Sequence, residues 1–205
     1  MNRMSQKKIG IMGGTFNPIH TGHLLLAQEA LEEAKLTQVC FLPSGVSYLK
    51  KDDHILDAVH RLHLTELAVS DNPNFSVSDM EIKRSGNTYT CDTLKQLNEE
   101  QPETDFYFIL GADCLFSMET WYHPEEIFSS CKILAAVRDD LKLSDLEEKA
   151  DELRNRFDAE IFLLHLPRID ISSTDIRERL KAGKSIQYMV PEAVRDYILQ
   201  NHLYQ

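Results

Sequence analysis

The chain has 205 residues, of which 42% are hydrophobic and 27% charged, a balance that suits a globular protein with one full-sized core. Its formal net charge of −11 argues against a nucleic-acid partner, which would need a basic face, and means that any phosphate-bearing ligand must be met by local cations and magnesium. No apolar stretch approaches membrane-spanning length, and the opening MNRMSQKK carries no secretory core, so a cytoplasmic protein with no membrane partner is expected.

The first element is a strand over Lys8–Met12, closed by Gly13 and Gly14. The segment GGTFNPIHTGH then turns and opens a helix at His23 that runs to Ala34, with Leu24, Ala27, Leu31 and Ala34 on one apolar face. A strand, a glycine turn and a helix start gather free backbone N–H groups at the positive end of a helix dipole, and such a pocket suits phosphate. Thr15 and Phe16 offer backbone donors there, and His20 and His23 add imidazole donors. There is no GK[ST] triplet and no G-x-G-x-x-G, which leaves nucleotide chemistry without a Walker lysine.

A second strand, Val39–Pro43, precedes a polar loop from Ser44 to His54 in which Lys50 or Lys51 can supply a cation to phosphates. The helix Ala58–Ser70 carries His60 and His63 on one face, without a third ligand that would make a zinc site; Arg61 reads as a salt-bridge partner. A strand over Phe75–Ser78, a helix over Thr90–Glu99 and a strand over Phe106–Leu110 follow. Gly111-Ala112-Asp113 ends that last strand, and Trp121, the only tryptophan, comes shortly after. The helix Pro124–Ser129 leads to a strand over Lys132–Val137, with Arg138 at its end as another salt-bridge partner. Of the four cysteines, Cys40 and Cys131 flank strands and read as buried thiols; no C-x-x-C spacing supports a disulfide framework or a zinc site. An acidic helix, Ser144–Phe157, reads as a solvated face before the final strand, Glu160–Leu166.

The string ISSTDIRERL repeats the opening logic. Ser172, Ser173 and Thr174 are good cap residues, and Arg177 projects one turn into the helix. Two such anion sites at the same end of a sheet can hold a triphosphate from both sides. Helices over Ser173–Gly183 and Pro191–Leu203 close the chain. Alternating strands and helices imply right-handed crossovers and an α/β, doubly wound, mainly parallel sheet. Gly13, Pro43, Gly111, Arg138 and Ser172 all follow strand ends, which puts the motifs on one rim. Residues 1–205 are expected to form a single domain, with 173–205 as a packed C-terminal helical cap.

GGTFNPIHTGHL, FLPSG, NTYTCDTL (Asn87–Leu94), FILGAD (Phe108–Asp113), Trp121 and ISSTDIR stand in this order along nearly the whole chain. Together they resemble the nucleotidyltransferase superfamily marked by H-x-G-H and a late ISSTxxR, and within it the bacterial nicotinate mononucleotide adenylyltransferase family, with its Rossmann-like fold. The resemblance implies adenylyl transfer from ATP, with Mg2+, to the 5′-phosphate of nicotinate mononucleotide. It implies catalytic roles for His20, His23 and Arg177, and ATP contacts from Gly13, Gly14, Thr15, Phe16, Gly111, Ser172, Ser173 and Thr174. It gives the nicotinate mononucleotide Asn17, Thr88, Tyr89, Thr90, Asp113, Trp121 and Tyr122: Trp121 stacks on the pyridine ring, Asp113 accepts from a ribose hydroxyl, and the carboxylate meets Thr90 and the backbone near Tyr122. It implies no protein-held metal, since Mg2+ rides on the ATP phosphates. The family often shows Pro-Pro-His-Lys after FLPSG, where this chain reads Val46-Ser47-Tyr48-Leu49-Lys50-Lys51.

Sister transferases are the nearest alternatives. Phosphopantetheine adenylyltransferases usually have Asp at the place of Asn17 and lack the TYTCDTL and Trp121 elements, and cytidylyltransferases replace the ISST string. A non-catalytic nucleotide sensor would be expected to lose an imidazole or the late arginine, and an RNA-binding fragment would need a basic stripe. His20, His23 and Arg177 are present and the chain is acidic.

Overall fold

Each of the six apolar runs becomes a strand of one sheet in the structure, a computed structural model that describes residues 7–47, 55–137, 143–165 and 170–205. In chain order the elements are β1 (Lys7–Gly14), α1 (Thr21–Glu33), β2 (Gln38–Pro43), β3 (Val46–Ser47), α2 (Ala58–Val69), β4 (Phe75–Val77), α3 (Met80–Lys83), β5 (Asn87–Thr88), α4 (Thr90–Glu100) and β6 (Thr104–Gly111). Two 3-10 turns, Ala112–Phe116 and Met118–Thr120, lead to α5 (Pro124–Ser130), β7 (Lys132–Val137), α6 (Leu143–Phe157), β8 (Ile161–His165), α7 (Ser173–Lys181) and α8 (Glu192–Gln200). Lys50, Lys51 and Arg138 lie outside the described residues.

The strand order is β4-β2-β1-β6-β7-β8, parallel at every pairing. The chain winds outward from β1 to β4, returns to the other side of β1 at β6, and winds outward again. The order therefore reverses between β1 and β6, and the carboxyl ends of those two strands border the crevice where ligands of such sheets bind. β3 and β5 form a separate two-stranded parallel ribbon above that rim, which the sequence reading did not anticipate because each strand is only two residues long.

Strand alternation splits the core into two layers. Ile9, Ile11, Phe106, Phe108, Leu110 and Ile133 face α4, α5 and α6 through Leu94, Ile127, Leu146 and Leu153. Met12, Val39, Phe41, Ile109 and Leu134 face the other way, onto Ala27, Leu31 and Leu64 of α1 and α2. Ile176 and Leu180 of α7, with Val194 and Ile198 of α8, belong to this second layer. Gly10 marks its tightest point: a Cβ there would sit 2.7 Å from Ile109 Cδ1 and 2.8 Å from Leu36 Cδ1. Among the described residues no helix is long and apolar enough to cross a membrane.

Candidate active site

The turn after β1 is more committed than its sequence suggests. Helix α1 begins at Thr21, two residues earlier than expected, and His20 is its N-cap in extended conformation. The His20 N–H donates to His23 Nδ1 at 3.2 Å. That bond makes Nδ1 an acceptor, so the neutral ring carries its hydrogen on Nε2 as a donor. The two imidazoles lie nearly face to face, with centroids 3.7 Å apart, and the edge of Phe16 packs on His23 at 5.1 Å. His20 is buried and His23 half-buried. Phe16 holds the left-handed conformation (φ 47°), and Asn17–Pro18 is a cis peptide.

The ISST string reaches back to the same turn across more than 150 residues. Arg177 Nη1 donates to the Asn17 carbonyl at 2.9 Å, and the Ser173 hydroxyl donates to the Pro18 carbonyl at 2.9 Å. Ser172 is the N-cap of α7: its hydroxyl accepts from the Asp175 N–H at 3.1 Å and donates to the Asp175 carboxylate at 2.6 Å. Thr174 accepts from Arg177 Nη2 at 3.3 Å. Gly14, Thr15, Phe16, Asn17, His23, Ser173, Thr174 and Arg177, with Ile55, line a cavity of about 470 Å³. Its walls offer imidazole, guanidinium and backbone N–H donors, the chemistry of an anion site.

A second cavity, about 240 Å³, opens at the β1–β6 reversal between Ile11, Gly13, Gly14, Thr15, Phe108 and Trp121 on one side and Ser44, Glu81, Thr88, Thr90, Thr93, Leu94 and Cys114 on the other. Trp121 is half-buried and meets Phe108 edge-on at 6.3 Å. Helix α4 starts here with Tyr89 as an N-cap that makes no side-chain capping bond. The hydroxyls of Ser44 and Thr88 are buried without a hydrogen-bond partner, a cost that a polar ligand would remove. Glu81 is buried, and its carboxylate accepts from the Thr93 hydroxyl at 2.8 Å, which in turn accepts from Arg84 at 2.8 Å. Burial pushes the Glu81 carboxyl above the usual carboxylate range, against the opposing effects of Thr93 and Arg84.

The structure thus gathers most of the expected residues, but not in the expected groups. Asn17, assigned by resemblance to the second substrate, lines the anion cavity, and its side-chain oxygen accepts from the Leu56 N–H at 3.1 Å and the Tyr204 hydroxyl at 2.9 Å. Tyr89 and Tyr122 lie ring to ring at 4.2 Å, and neither they nor His20, Gly111, Asp113 or Ser172 line these two cavities. Among the described residues Arg61 has no salt-bridge partner: it is 2% exposed, and its guanidinium donates to the carbonyls of Leu56, Thr15 and Ser44 at 2.9, 2.8 and 2.8 Å. Its place on the core-facing side of α2, in step with Leu64, Thr65 and Ala68, was the legible sign of that role. Tyr204 and Glu81 carried no comparable signal.

His60 meets the Tyr197 hydroxyl at 2.9 Å, while His63 pairs with Glu66 at 3.5 Å. All four cysteines are free; Cys131 and Cys91 are buried, whereas Cys40, expected to be buried, is only half so. A larger cavity, about 510 Å³, lies at the opposite rim among the strand starts Thr104, Lys132 and Glu160. Its Lys132 is shared between Asp105 and Glu160 at 3.7 and 3.8 Å, which leaves little charge for an anion.

Residues 11–179 match the cytidylyltransferase-like family model. A protein from Lachnoclostridium phytofermentans named "probable nicotinate-nucleotide adenylyltransferase" is 50% identical over 97% of this chain and 99% of its own. One of the same name from Dehalococcoides mccartyi strain CBDB1 is 45% identical over 98% of each chain. In fold, the chain is similar to the Plasmodium falciparum nicotinic acid mononucleotide adenylyltransferase complexed with NaAD, with a TM-score of 0.80, 22% identity and 97% of each chain covered. The chain belongs to the cytidylyltransferase-like family, among its nicotinate-nucleotide adenylyltransferases.

Proposed function

We propose that this protein transfers the adenylyl group of ATP to the 5′-phosphate of nicotinate mononucleotide, releasing pyrophosphate and deamido-NAD. The observation that carries the reading is that an anion cavity and an aromatic cavity share Gly14 and Thr15 as a common wall. Two nucleotides seated in them would meet at that wall, phosphate to phosphate. The attacking group is already an anion, so no covalent enzyme intermediate is needed, and catalysis reduces to alignment and charge neutralisation. His23 Nε2–H donates to the α-phosphate as its charge grows, with His20 beside it. Arg177 and the first-turn N–H groups of α7 hold the β and γ phosphates. The walls of the anion cavity are donors, not carboxylates, so they fit phosphate and would leave Mg2+ to come with ATP, where it would supply positive charge against the pyrophosphate.

The second substrate enters between Trp121, which stacks on the pyridine ring, and the start of α4. The uncapped first turn at Thr90 and the Thr88 hydroxyl offer donors to the nicotinate carboxylate. An amide would place its own N–H₂ against those donors, so the acid is preferred. Residues 1–205 act as one domain with 173–205 as its helical cap, supported by the shared core layer and by the bonds from Ser173, Arg177 and Tyr204 to the 17–18 turn. A need for ATP supports a cytoplasmic location, and the reading admits an oligomer. The test is product formation from paired substrates. ATP with nicotinate mononucleotide should give pyrophosphate and a dinucleotide, whereas CTP in place of ATP, or phosphopantetheine in place of the mononucleotide, should give neither. Turnover of either substitute at a comparable rate would assign a sister activity.

A further inference from the structure

Arg61 sits beneath both cavities and touches neither as a wall residue. Its three hydrogen bonds go to main-chain carbonyls from three separate segments: Thr15 in the turn after β1, Ser44 in the turn after β2, and Leu56 ahead of α2. The peptides after Thr15 and Ser44 are trans, since the only cis bond among the described residues is Asn17–Pro18. In a trans peptide the N–H points away from its carbonyl. Drawing the Thr15 and Ser44 carbonyls down onto Arg61 therefore turns the Phe16 and Gly45 N–H groups up and away from it. Phe16 belongs to the wall of the anion cavity, and Ser44 to the wall of the second cavity.

From this geometry we infer that Arg61 is a positioning residue common to both substrates, orienting the donors of the phosphate turn and of the second-substrate rim through one rigid guanidinium. The inference rests on the functional reading above. A planar fork can serve three carbonyls in fixed directions; an ammonium cannot. The rim leaves no slack for the alternative: a Cβ on Gly45 would lie 2.4 Å from the Glu81 carbonyl oxygen, so this turn is held between Arg61 below and α3 beside it. Arg61 is also a buried cation whose three hydrogen bonds all go to carbonyl dipoles, while the Asp57 carboxylate acts on it without a hydrogen bond. Burial lowers its pKa, with Tyr204 and Asp57 opposing that effect, yet a guanidinium stays charged at neutral pH.

The experiment compares wild type with Arg61→Lys and Arg61→Met, each checked for folding by thermal melting. Calorimetric titration uses a non-hydrolysable ATP analogue, nicotinate mononucleotide and adenosine. The expected result is a rise in Kd on the order of ten-fold or more for both phosphate-bearing ligands in both variants, with adenosine affinity unchanged, because adenosine has no phosphate to be positioned. Unchanged affinity for the analogue and the mononucleotide in Arg61→Lys, or a loss confined to one of them, overturns the shared role. A loss that extends equally to adenosine reduces Arg61 to a general structural residue and also overturns it. Should the variants fail to fold, amide exchange in wild type decides: Phe16 should be protected by the ATP analogue and Gly45 by the mononucleotide, and absence of either protection counts against the inference. Wild type that turns over ATP and the mononucleotide while Arg61→Lys behaves identically sinks this inference alone; wild type that turns over neither sinks the functional reading.

Discussion

At the scale of single residues, the site depends on which atoms are already committed. His23 spends Nδ1 on the His20 N–H, so Nε2 is the end that can reach phosphate. His23→Ala should lower kcat by about 10²–10³, or about 3–4 kcal/mol of transition-state stabilisation, while changing ATP affinity far less; equal losses in both would remove the residue from the chemistry. Tyr204 is the converse case, a residue outside the motifs that reaches Asn17 at 2.9 Å. Burial raises its phenol pKa, so it stays a neutral donor through the physiological range. Tyr204→Phe should cost about 1 kcal/mol of stability and raise KM for ATP, measured by melting and initial rates. The meeting of His20, His23 and Arg177 around one turn was legible from the ordered motifs that carry the resemblance, and their catalytic roles belong to the proposal. Tyr204 and the bonds that Asn17 makes were not legible, because they join distant segments that no local pattern encodes; Arg61 showed only its step with Leu64, Thr65 and Ala68 on the buried face of α2.

At the scale of elements, the six strands and their flanking helices could be read from apolar runs and cap residues, since each buries a continuous face. The reading ran out where elements are short. α3 spans Met80–Lys83, and β3 and β5 have two residues each; none has enough length to show a period, and α3 and β5 line the second cavity through Glu81 and Thr88. β1 shows what sequence pattern hides within a correct strand. Gly10 sits where Leu36 and Ile109 crowd the backbone, so Gly10→Ala should destabilise the fold by about 1–3 kcal/mol through overpacking, read as a lowered urea midpoint with unchanged m. A neutral or stabilising result would mean that those side chains move aside freely. The thiol of Cys131, pushed up to about 12 by burial between α5 and β7, should stay unmodified by alkylating reagents at pH 8 while the protein is folded.

At the scale of the whole molecule, the proposed site sets Arg177, Arg61 and helix starts against anionic substrates at one rim of an acidic chain. The parallel sheet places every strand end there, and the reversal between β1 and β6 opens the crevice. The C-terminal helices complete it: α7 brings Arg177, while the segment after α8 brings Tyr204. Removing residues 191–205 would uncover the layer that holds Leu64 and Phe41, and the shortened chain should melt well below the full-length protein and bind ATP poorly. A truncated chain with full ATP affinity would show the cap to be dispensable. The most direct measurement is the initial rate of pyrophosphate release from ATP with nicotinate mononucleotide and, in parallel, nicotinamide mononucleotide. Strong preference for the acid is the predicted result, because the Thr88–Thr90 rim presents donors to a carboxylate; equal rates would contradict that account of the rim, and no release with either would contradict the assignment of the reaction.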